Sequence, residues 1–283
     1  MPGTLFVVAT PIGNLEDVTL RALRVLGEAK LIAAEDTRRT GTLLRHYGID
    51  TPTTSFHEHN EQRKLPVLIA RLEEGDSVAV VSDAGTPGIS DPGYRLVRAA
   101  IDRGIKVEAV PGASAVLAAL VASGQPTQSF SFAGFPPVKP AARARWFQEL
   151  AAERRTVVFF EAPHRVRATL AAAREVLGDV QVVAGRELTK VHEELVRGTI
   201  SEVLEKLEHP RGEFTVVLSP PGTHEEENAT PPPRDDEILQ QFGLLTEQGG
   251  GSRRAAIAGV ARRLGLSARE VYAAIERAKR AEE

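Results

Sequence analysis

Short apolar runs alternate with amphipathic stretches along the first part of the chain, and this alternation is the feature that most restricts its fold. The runs are residues 5–9, 31–34, 78–82 and 107–110. Stretches with helical periodicity cover residues 19–28, 38–47, 61–73, 93–103 and 113–123. A strand–helix rhythm of this kind is typical of a parallel sheet covered by helices. Residues 1–124 therefore predict an α/β domain.

A second set of strands and helices follows, and the boundary is expected near residues 124–126. Strands are predicted near residues 129–133, 156–160, 181–184 and 214–218, with helices at 141–153, 164–176 and 201–207. We therefore expect a second α/β domain over residues 125–221.

The last part of the chain differs in composition. Residues 222–234 are acidic and rich in proline, which is typical of a linker. Beyond them, helices are predicted at 236–247, 252–264 and 267–279, with Ser252 and Ser267 placed as N-caps. From residue 249 onward eight basic residues outnumber four acidic ones. Residues 235–283 thus indicate either a basic helix-turn-helix that contacts nucleic acid or a small three-helix bundle.

Composition narrows the class of protein. The 283 residues suffice for two or three domains. With no cysteine, disulfides and thiolate metal sites are excluded. The chain shows no basic leader and no apolar run of membrane-spanning length, so we expect a soluble, cytoplasmic protein.

The run at residues 78–82 leads directly into Ser82-Asp83-Ala84-Gly85-Thr86-Pro87-Gly88-Ile89-Ser90-Asp91-Pro92-Gly93. Glycines let the backbone approach a ligand closely, and prolines restrict φ. Ligands of open α/β sheets bind where strands end, although an ordinary strand-to-helix connection is the alternative. The turn after the first strand, residues 9–15, lacks G-x-G-x-x-G, and the chain has no P-loop motif. Nicotinamide dinucleotide binding and P-loop hydrolysis are therefore disfavoured.

Three further segments are rich in charged side chains. After the second strand, Asp36 or Thr37 can cap a helix, whereas Arg38 and Arg39 oppose the helix dipole and suit phosphate contact. In residues 55–61, His57 and His59 are close in sequence, but without a clear third ligand a polar loop and helix cap is favoured over a metal site. Residues 159–165 and 185–199 add acids, bases and an imidazole to the second domain, which suggests a shared cleft.

Taken together, these segments resemble the tetrapyrrole (corrin/porphyrin) methylase superfamily, the class III methyltransferases. The matching segments are residues 9–14, 34–40, 55–61, 80–93, 110–115, 160–166, 185–194 and 212–217. The resemblance implies two α/β domains that bind S-adenosyl-L-methionine in the cleft between them, a small C-terminal helical domain, and a homodimer. By position, it implies that the methyl-donor pocket is lined by Pro11, Ser82, Asp83, Gly85, Ile89, Ser114, Ala115, Phe160 and Thr215.

One departure from the family pattern bears on the substrate. Tetrapyrrole-modifying members carry a compact G-D-P loop where this chain has residues 82–87. That loop, residues 35–40 and the basic tail resemble the RNA-modifying branch, which methylates a cytidine 2′-hydroxyl in the decoding region of 16S rRNA within the small ribosomal subunit. The resemblance therefore implies rRNA contact by basic residues. These are Arg38, Arg39, Arg165, Arg253, Arg254, Arg262 and Arg263.

The expected reaction needs a positioned ribose oxygen and an acceptor for its proton. Asp36, Glu161 and Glu187 are candidate acceptors, and Lys190 can polarise the site or hold a phosphate. Two other functions stay open: methylation of a tetrapyrrole precursor, and a non-catalytic rRNA-binding assembly factor.

Overall fold

The computed structural model describes residues 1–208, 210–221, 235–249, 253–264 and 266–281. The chain divides into two compact units, Met1–Thr223 and His224–Glu283. The predicted linker 222–234 and the proposed cap Ser252 lie outside the described residues. Within the described ranges, no helix is both long and apolar enough to cross a membrane.

The first sheet of the larger unit is entirely parallel, as the sequence predicts. Its strands are β1 (Thr4–Val8), β2 (Leu31–Ala34), β3 (Thr53–Ser55), β4 (Val78–Val81) and β5 (Lys106–Val110). They lie in the order β3-β2-β4-β1-β5. The sequence misses only β3, since a three-residue edge strand is too short to show a period.

Helices cover both faces of this sheet. They are α1 (Leu20–Glu28), α2 (Thr37–His46), α3 (Glu61–Glu73), α4 (Tyr94–Asp102) and α5 (Ala115–Ser123). Leu26 of α1 and Leu44 of α2 pack on one face, whereas Leu68 of α3 and Leu96 of α4 pack on the other. The adjacent strands β1 and β4 are thus followed by helices on opposite faces. Such a switch point opens a crevice at the carboxyl ends of the strands.

The second sheet is mixed. Its strands are β6 (Phe130–Phe132), β7 (Thr156–Glu161), β8 (Gln181–Arg186), β9 (Glu194–Thr199) and β10 (Phe214–Leu218), in the order β6-β7-β10-β8-β9. Only β6 and β7 pair in parallel, and the other pairs are antiparallel. Its helices are α6 (Pro140–Leu150), α7 (Pro163–Leu177) and α8 (Ile200–Lys206). The sequence does not predict β9, an edge strand with only Val196 buried.

Helix α5 connects the two sheets. Its sequence, AVLAALVAS, is apolar on all sides, but only part of this apolar surface is covered, since Leu117 and Val121 stay exposed. Val116, Ala119 and Leu120 pack with Val158 and Val217 of the second sheet. This contact holds the second sheet against the first α/β layer.

The smaller unit consists of α9 (Asp235–Gly249), α10 (Arg253–Leu264) and α11 (Ala268–Ala281). Ile238, Val260, Val271 and Ile275 form its core. The Ser267 hydroxyl accepts a hydrogen bond from the Glu270 amide at 3.2 Å, and the Glu270 carboxylate accepts from the Ser267 amide at 2.7 Å. This capping box confirms Ser267 as the predicted N-cap.

Candidate active site

The loops after β1 and β4 are hydrogen-bonded to each other at the switch point. The Thr10 amide donates to the Gly85 carbonyl at 2.8 Å, and the Gly85 amide donates to the Thr10 carbonyl at 3.0 Å. The Thr10 hydroxyl also donates to the Ser82 carbonyl at 3.2 Å. Gly85 has a φ of 75°, in the left-handed region that favours glycine. The two loops therefore form one short backbone partition.

A third loop, after β5, reaches the same point. A Cβ atom on Gly85 would lie 3.4 Å from the Ile12 Cγ2 and 3.6 Å from the Ala113 carbonyl oxygen. Ser114 follows this loop and caps α5, accepting a hydrogen bond from the Leu117 amide. Three strand ends of the first sheet thus meet around one glycine. Such a backbone cradle fits a small ligand that lies across the loops.

The second sheet supplies the facing wall. Ile12, Ala115 and Phe160 are partly buried and pack against the apolar cluster that joins the two sheets. Thr215 on β10 lies directly opposite Phe160 on β7. The structure therefore brings the residues expected from β1, β5, β7 and β10 to one region. Ile89 is 46% exposed and is not part of this cluster.

Carboxylates from neighbouring loops form a linked cluster beside the partition. The Asp36 amide donates to the Asp83 Oδ1 at 2.9 Å, and the Asp83 amide donates to the Glu35 Oε2 at 3.2 Å. Asp36 also caps α2 by accepting from the Arg38 amide, which confirms the capping role. Hydrogen bonds from the Arg38 side chain and amide hold the pKa of Asp36 far below its ordinary value.

Asp91 behaves differently from these carboxylates. Burial, reinforced by the charges of Glu35 and Asp83, raises its pKa to about 6 against the opposing effect of a hydrogen bond from Ser82. The sequence analysis does not single out Asp91. Its raised pKa depends on residues 35 and 83, which come near it only in the folded chain.

A cavity of about 280 Å³ lies on the α2 side of the partition. Its lining residues are Thr10, Pro11, Ile12, Gly13, Leu15, Arg39, Thr40, Thr42, Leu43, Ser82, Asp83, Ala84, Lys190 and Glu213. Among the residues expected to hold the donor, Pro11, Ser82 and Asp83 line it. Arg39 Nε lies 3.6 Å from the Asp83 carboxylate, so the cavity has a cation on its first-domain side.

Lys190, in the turn between β8 and β9, supplies a second cation. Its ammonium lies 2.9 Å from the Glu187 carboxylate and 2.9 Å from the Glu213 carboxylate. Burial lowers its pKa, but the hydrogen bonds with Glu213 and Glu187 outweigh that effect and raise it. The Glu213 amide and the Lys190 side chain in turn lower the pKa of Glu187. Both partners therefore remain charged at neutral pH.

Two glycines allow this arrangement. A Cβ on Gly13 would lie 2.5 Å from the Lys190 Cγ, and one on Gly212 would overlap the Glu187 side chain. Glu187 and Thr189 themselves have positive φ values, 50° and 65°. The Thr189 hydroxyl also accepts a hydrogen bond from the Asn14 amide at 3.1 Å. The turn at residues 187–190 is thus fastened to the loop after β1.

The structure keeps Glu161 and Arg165 away from the cavity. The Glu161 side chain is 0% exposed and contacts Arg165 at 3.2 Å. Its carboxylate accepts hydrogen bonds from the Thr169 hydroxyl at 2.6 Å and the Ala162 amide at 2.8 Å. Arg165 also donates to the Pro136 carbonyl at 2.6 Å. This buried pair, which lines no part of the cavity, supports α7 internally.

The other arginines expected to contact RNA are exposed. Arg38 is ion-paired with Asp36 at 2.6 Å, and its side chain is 89% exposed. In the smaller unit, Arg253 contacts Glu276 at 2.7 Å and lies over the Tyr272 ring. Arg254, Arg262 and Arg263 are exposed on α10. These last three form no ion pair within the described part of the chain.

Residues 55–61 form an ordered loop at the end of β3. The Asn60 side chain accepts from the His57 amide at 2.9 Å and donates to the Ser55 carbonyl at 3.2 Å. The rings of His57 and His59 are 6.0 Å apart, edge to face. No group of three or more histidine or acidic residues that could hold a metal occurs among the described residues.

Two residues that line the cavity, Thr42 and Glu213, are not among the site residues expected from the sequence. Glu213 precedes β10 by one residue and enters the sequence comparison only as part of the matching segment 212–217. Thr42 lies on the cavity face of α2, two residues beyond the charged segment that the sequence does single out. Helical periodicity from Arg39 would place Thr42 on the same face.

Comparison with known proteins agrees with this architecture. A family model described as Tetrapyrrole (Corrin/Porphyrin) Methylases matches residues 4–204. A relative from Halalkalibacterium halodurans named Ribosomal RNA small subunit methyltransferase I is 50% identical over 218 residues, 76% of this chain and 75% of that protein. A relative of the same name from Thermotoga maritima is 49% identical over 219 residues, 77% of this chain and 98% of that protein.

Solved structures show the same fold at low identity. A uroporphyrin-III C-methyl transferase from Thermus thermophilus, complexed with S-adenyl homocysteine, superposes with a TM-score of 0.55. It is 19% identical, and the match covers 77% of this chain and 97% of that one.

Proposed function

The chain belongs to the tetrapyrrole (corrin/porphyrin) methylase family, and we propose that it methylates the 2′-hydroxyl of a cytidine in the decoding region of 16S rRNA. It is a methyltransferase that uses S-adenosyl-L-methionine and acts on ribosomal RNA. The cytidine and the ribose oxygen are the proposed part. The observation that carries the proposal is the near-50% identity to relatives named for the small subunit.

We propose that the donor lies in the cradle around Gly85. Ala115 and Phe160, which share one apolar cluster, would contact its flat ring, with Thr215 beside them. Pro11, Ser82, Asp83 and Ser114 would hold its polar parts, and Ile89 would cover it from the exposed loop. S-adenosylmethionine supplies a methyl group that is already activated by the attached sulfonium.

The protein's task is then to orient the ribose oxygen and accept its proton. As the oxygen–carbon bond forms, the carbon–sulfur bond breaks and the hydroxyl proton must leave. Asp36 and Glu187 are the proposed acceptors because each contacts a residue that lines the cavity, Asp36 through Asp83 and Glu187 through Lys190. Lys190 would hold negative charge on the RNA, whereas Glu161 is enclosed by its own partners.

The exposed arginines support an RNA partner. Guanidinium groups at Arg38 and Arg39 flank the cavity side of α2, and Arg253, Arg254, Arg262 and Arg263 follow in the smaller unit. The proposed substrate is the small ribosomal subunit, in the cytoplasm. A homodimer is proposed as well, because Leu117 and Val121 leave an exposed apolar strip on α5.

The proposal is tested by offering the protein labelled donor with three acceptors. These are small subunits from cells that lack the modification, naked rRNA, and a tetrapyrrole precursor. We expect label in the rRNA of the subunits. Label in the tetrapyrrole alone would assign the chain to the other branch of the family, and donor binding without transfer would favour an assembly factor.

A separate variant series identifies the acceptor of the proton. We expect Asp36→Asn or Glu187→Gln to lose turnover while the dissociation constant for the donor stays within about twofold of wild type. Wild-type turnover in both variants would show that neither carboxylate accepts the proton.

A further inference from the structure

The cavity beside α2 differs from the cradle around Gly85 in both size and chemistry. We infer that this cavity binds the target nucleotide of the RNA. It holds a single nucleotide, and Arg39 and Lys190 contact a phosphate of the RNA. The inference rests on the proposed function and names the part of the site that each substrate occupies.

The volume of the cavity limits what can enter. At about 280 Å³ it lies just below the roughly 300–1,000 Å³ of most small-molecule pockets. One nucleoside matches this space, whereas a base pair or a macrocycle of four pyrrole rings exceeds it. An RNA strand can therefore place a base here only by drawing that nucleotide out of its stack.

The lining suits a nucleotide. Leu15 and Leu43 offer apolar contact to the faces of a base. The Thr42 hydroxyl donates to the Arg38 carbonyl at 3.2 Å and accepts from the Arg45 side chain at 3.3 Å. Its remaining lone pair can accept one further hydrogen bond from a base edge or a ribose. The lining contains no aromatic ring, so stacking on the protein is replaced by aliphatic contact.

The two cations that line this space come from different elements, α2 and the turn between β8 and β9. Arg39 extends from α2 and is fixed by Asp83, while Lys190 comes from the second domain and is fixed by Glu187 and Glu213. Both cations stay charged, but three carboxylates contact them, so a phosphate must displace a carboxylate in order to bind. A phosphate that approached would replace the 3.6 Å contact of Arg39 most easily, because this contact is the longest of the three.

The partition explains how two substrates meet. Pro11, Ser82 and Asp83 line the cavity and also belong to the loops that form the cradle. Gly85, Ala115 and Phe160 do not line the cavity. The loops after β1 and β4 are thus the wall common to both compartments, where a ribose oxygen from one side can face a methyl group from the other.

The test fills the cavity without touching the cradle. Thr42→Trp places an indole in the cavity, and His46→Trp adds the same ring to an exposed position on α2 that does not line it. Two constants are measured for each protein: the calorimetric dissociation constant for S-adenosylhomocysteine, and kcat/KM for small subunits. Thermal unfolding establishes that each variant is folded.

We expect Thr42→Trp to lower kcat/KM for the subunits at least about tenfold and to leave the dissociation constant within about twofold. His46→Trp should match wild type in both. Loss of S-adenosylhomocysteine binding with an unchanged KM for subunits would overturn the inference and assign the cavity to the donor. If Thr42→Trp labelled the subunits as well as wild type does, the inference about the cavity would be overturned and the proposed function would stand.

Charge is tested with a second pair. Arg39 is 63% exposed and Arg98, ion-paired with Asp102 on α4, is 65% exposed, so the two arginines are closely matched. We expect Arg39→Gln to raise the KM for subunits about tenfold, and Arg98→Gln to leave it unchanged. Equal changes in KM for Arg39→Gln and Arg98→Gln would show that Arg39 does not bind a phosphate of the RNA. Absence of label in rRNA with the wild-type protein would instead overturn the proposed function, and the inference with it.

Discussion

At the scale of single residues, the carboxyl groups near the partition differ in what their surroundings do to them. Asp36 and Glu187 have partners that favour the charged form, whereas Asp91 lies among other acids and is partly buried. The same residue type is thus held ionised in one place and pushed toward its neutral form in another. This difference gives each carboxyl a distinct experimental signature.

Asp91 should make the stability of the protein depend on pH. Because its folded pKa, about 6, lies above its ordinary 3.8, the native state binds this proton more tightly than the unfolded chain. Its contribution to stability is therefore present below about pH 4 and is lost as pH rises through about 6. We expect the unfolding free energy of Asp91→Asn to exceed that of wild type near pH 7.5.

Urea denaturation at about pH 4.5 and about pH 7.5 checks this expectation. The advantage of Asp91→Asn should grow between the two conditions, while the exposed Asp50→Asn variant should follow wild type. If the unfolding free energy of Asp91→Asn instead fell relative to wild type as pH rises, the fold would stabilise the charged form of Asp91.

Glu161 should matter to stability and not to the reaction. Glu161→Gln removes the buried charge that pairs with Arg165 and leaves a partly buried guanidinium, 18% exposed, without its counter-ion. We expect a loss of about 2 kcal/mol in the unfolding free energy. The exposed Glu175→Gln on α7 should change it by less than about 0.5 kcal/mol.

Comparing activity with folding separates the two roles. At a temperature where Glu161→Gln remains folded, kcat should stay near that of wild type. A fall of a hundredfold or so in kcat, with the protein still folded, would return Glu161 to the reaction.

The site could be predicted from the sequence only in part. Motifs after each strand indicate Pro11, Ser82, Lys190 and their neighbours, because strand ends are recognisable from glycine and proline. They do not reveal that Glu161 is enclosed, since a carboxylate after a strand looks the same whether it faces Thr169 or solvent. Asp91 and Glu213 depend on partners distant along the chain, and that information is absent from any local pattern.

At the scale of elements, the fit of the turn at residues 187–190 against the loop after β1 depends on the small size of Gly13. Leu188, Thr189 and Lys190 all approach within 3.0 Å of the position that a Cβ would take. Gly13→Ala should therefore push the turn away from the loop and cost about 1–3 kcal/mol of unfolding free energy. It should also weaken turnover, since Lys190 moves with the turn.

The matched control is Gly27→Ala in α1, where a Cβ would meet nothing within 4 Å. This change should stabilise the protein by about 0.5–1 kcal/mol, because alanine favours helix more than glycine does. Denaturation curves of both variants check the pair. Stabilisation by Gly13→Ala would mean that the loop and turn are not closely fitted.

Some strands could be predicted from the sequence and others could not. Continuous apolar runs predict β2 and β4, whose residues are all buried and therefore show little alternation. The runs of β1 and β5 are also recognisable, although these strands are only partly buried. β3 and β9 escape prediction because β3 has only three residues and β9 has only one buried side chain. The antiparallel pairing of the second sheet is also absent from the pattern, because pairing direction depends on which strands become neighbours.

Across the whole chain, the family model matches residues 4–204 and does not include the helical unit. A match of 219 residues already covers 98% of the Thermotoga maritima protein, so that relative has almost nothing beyond the matched part. Methyl transfer by such a relative cannot depend on an equivalent unit. We therefore expect the unit to contribute affinity for RNA and not turnover.

Replacing Arg254, Arg262 and Arg263 by Gln tests this division of roles. The slope of log K against log salt for RNA binding should flatten by about 0.7–0.9 for each phosphate that the variant no longer neutralises, with kcat unchanged. A control replaces Arg24, Arg98 and Arg103, which are paired with carboxylates in the larger unit. Equal slopes in the two triple variants would make the helical unit a structural element.

The central claim is that the methyl group reaches a ribose oxygen of ribosomal RNA, and the chemical position of the methyl group tests it most directly. Small subunits labelled by the wild-type protein are digested with alkali, which cannot cleave next to a 2′-O-methyl ribose. We expect the label to be recovered in one alkali-resistant dinucleotide that contains 2′-O-methylcytidine. Recovery of the label in alkali-sensitive mononucleotides, with the methyl group on a base, would contradict it.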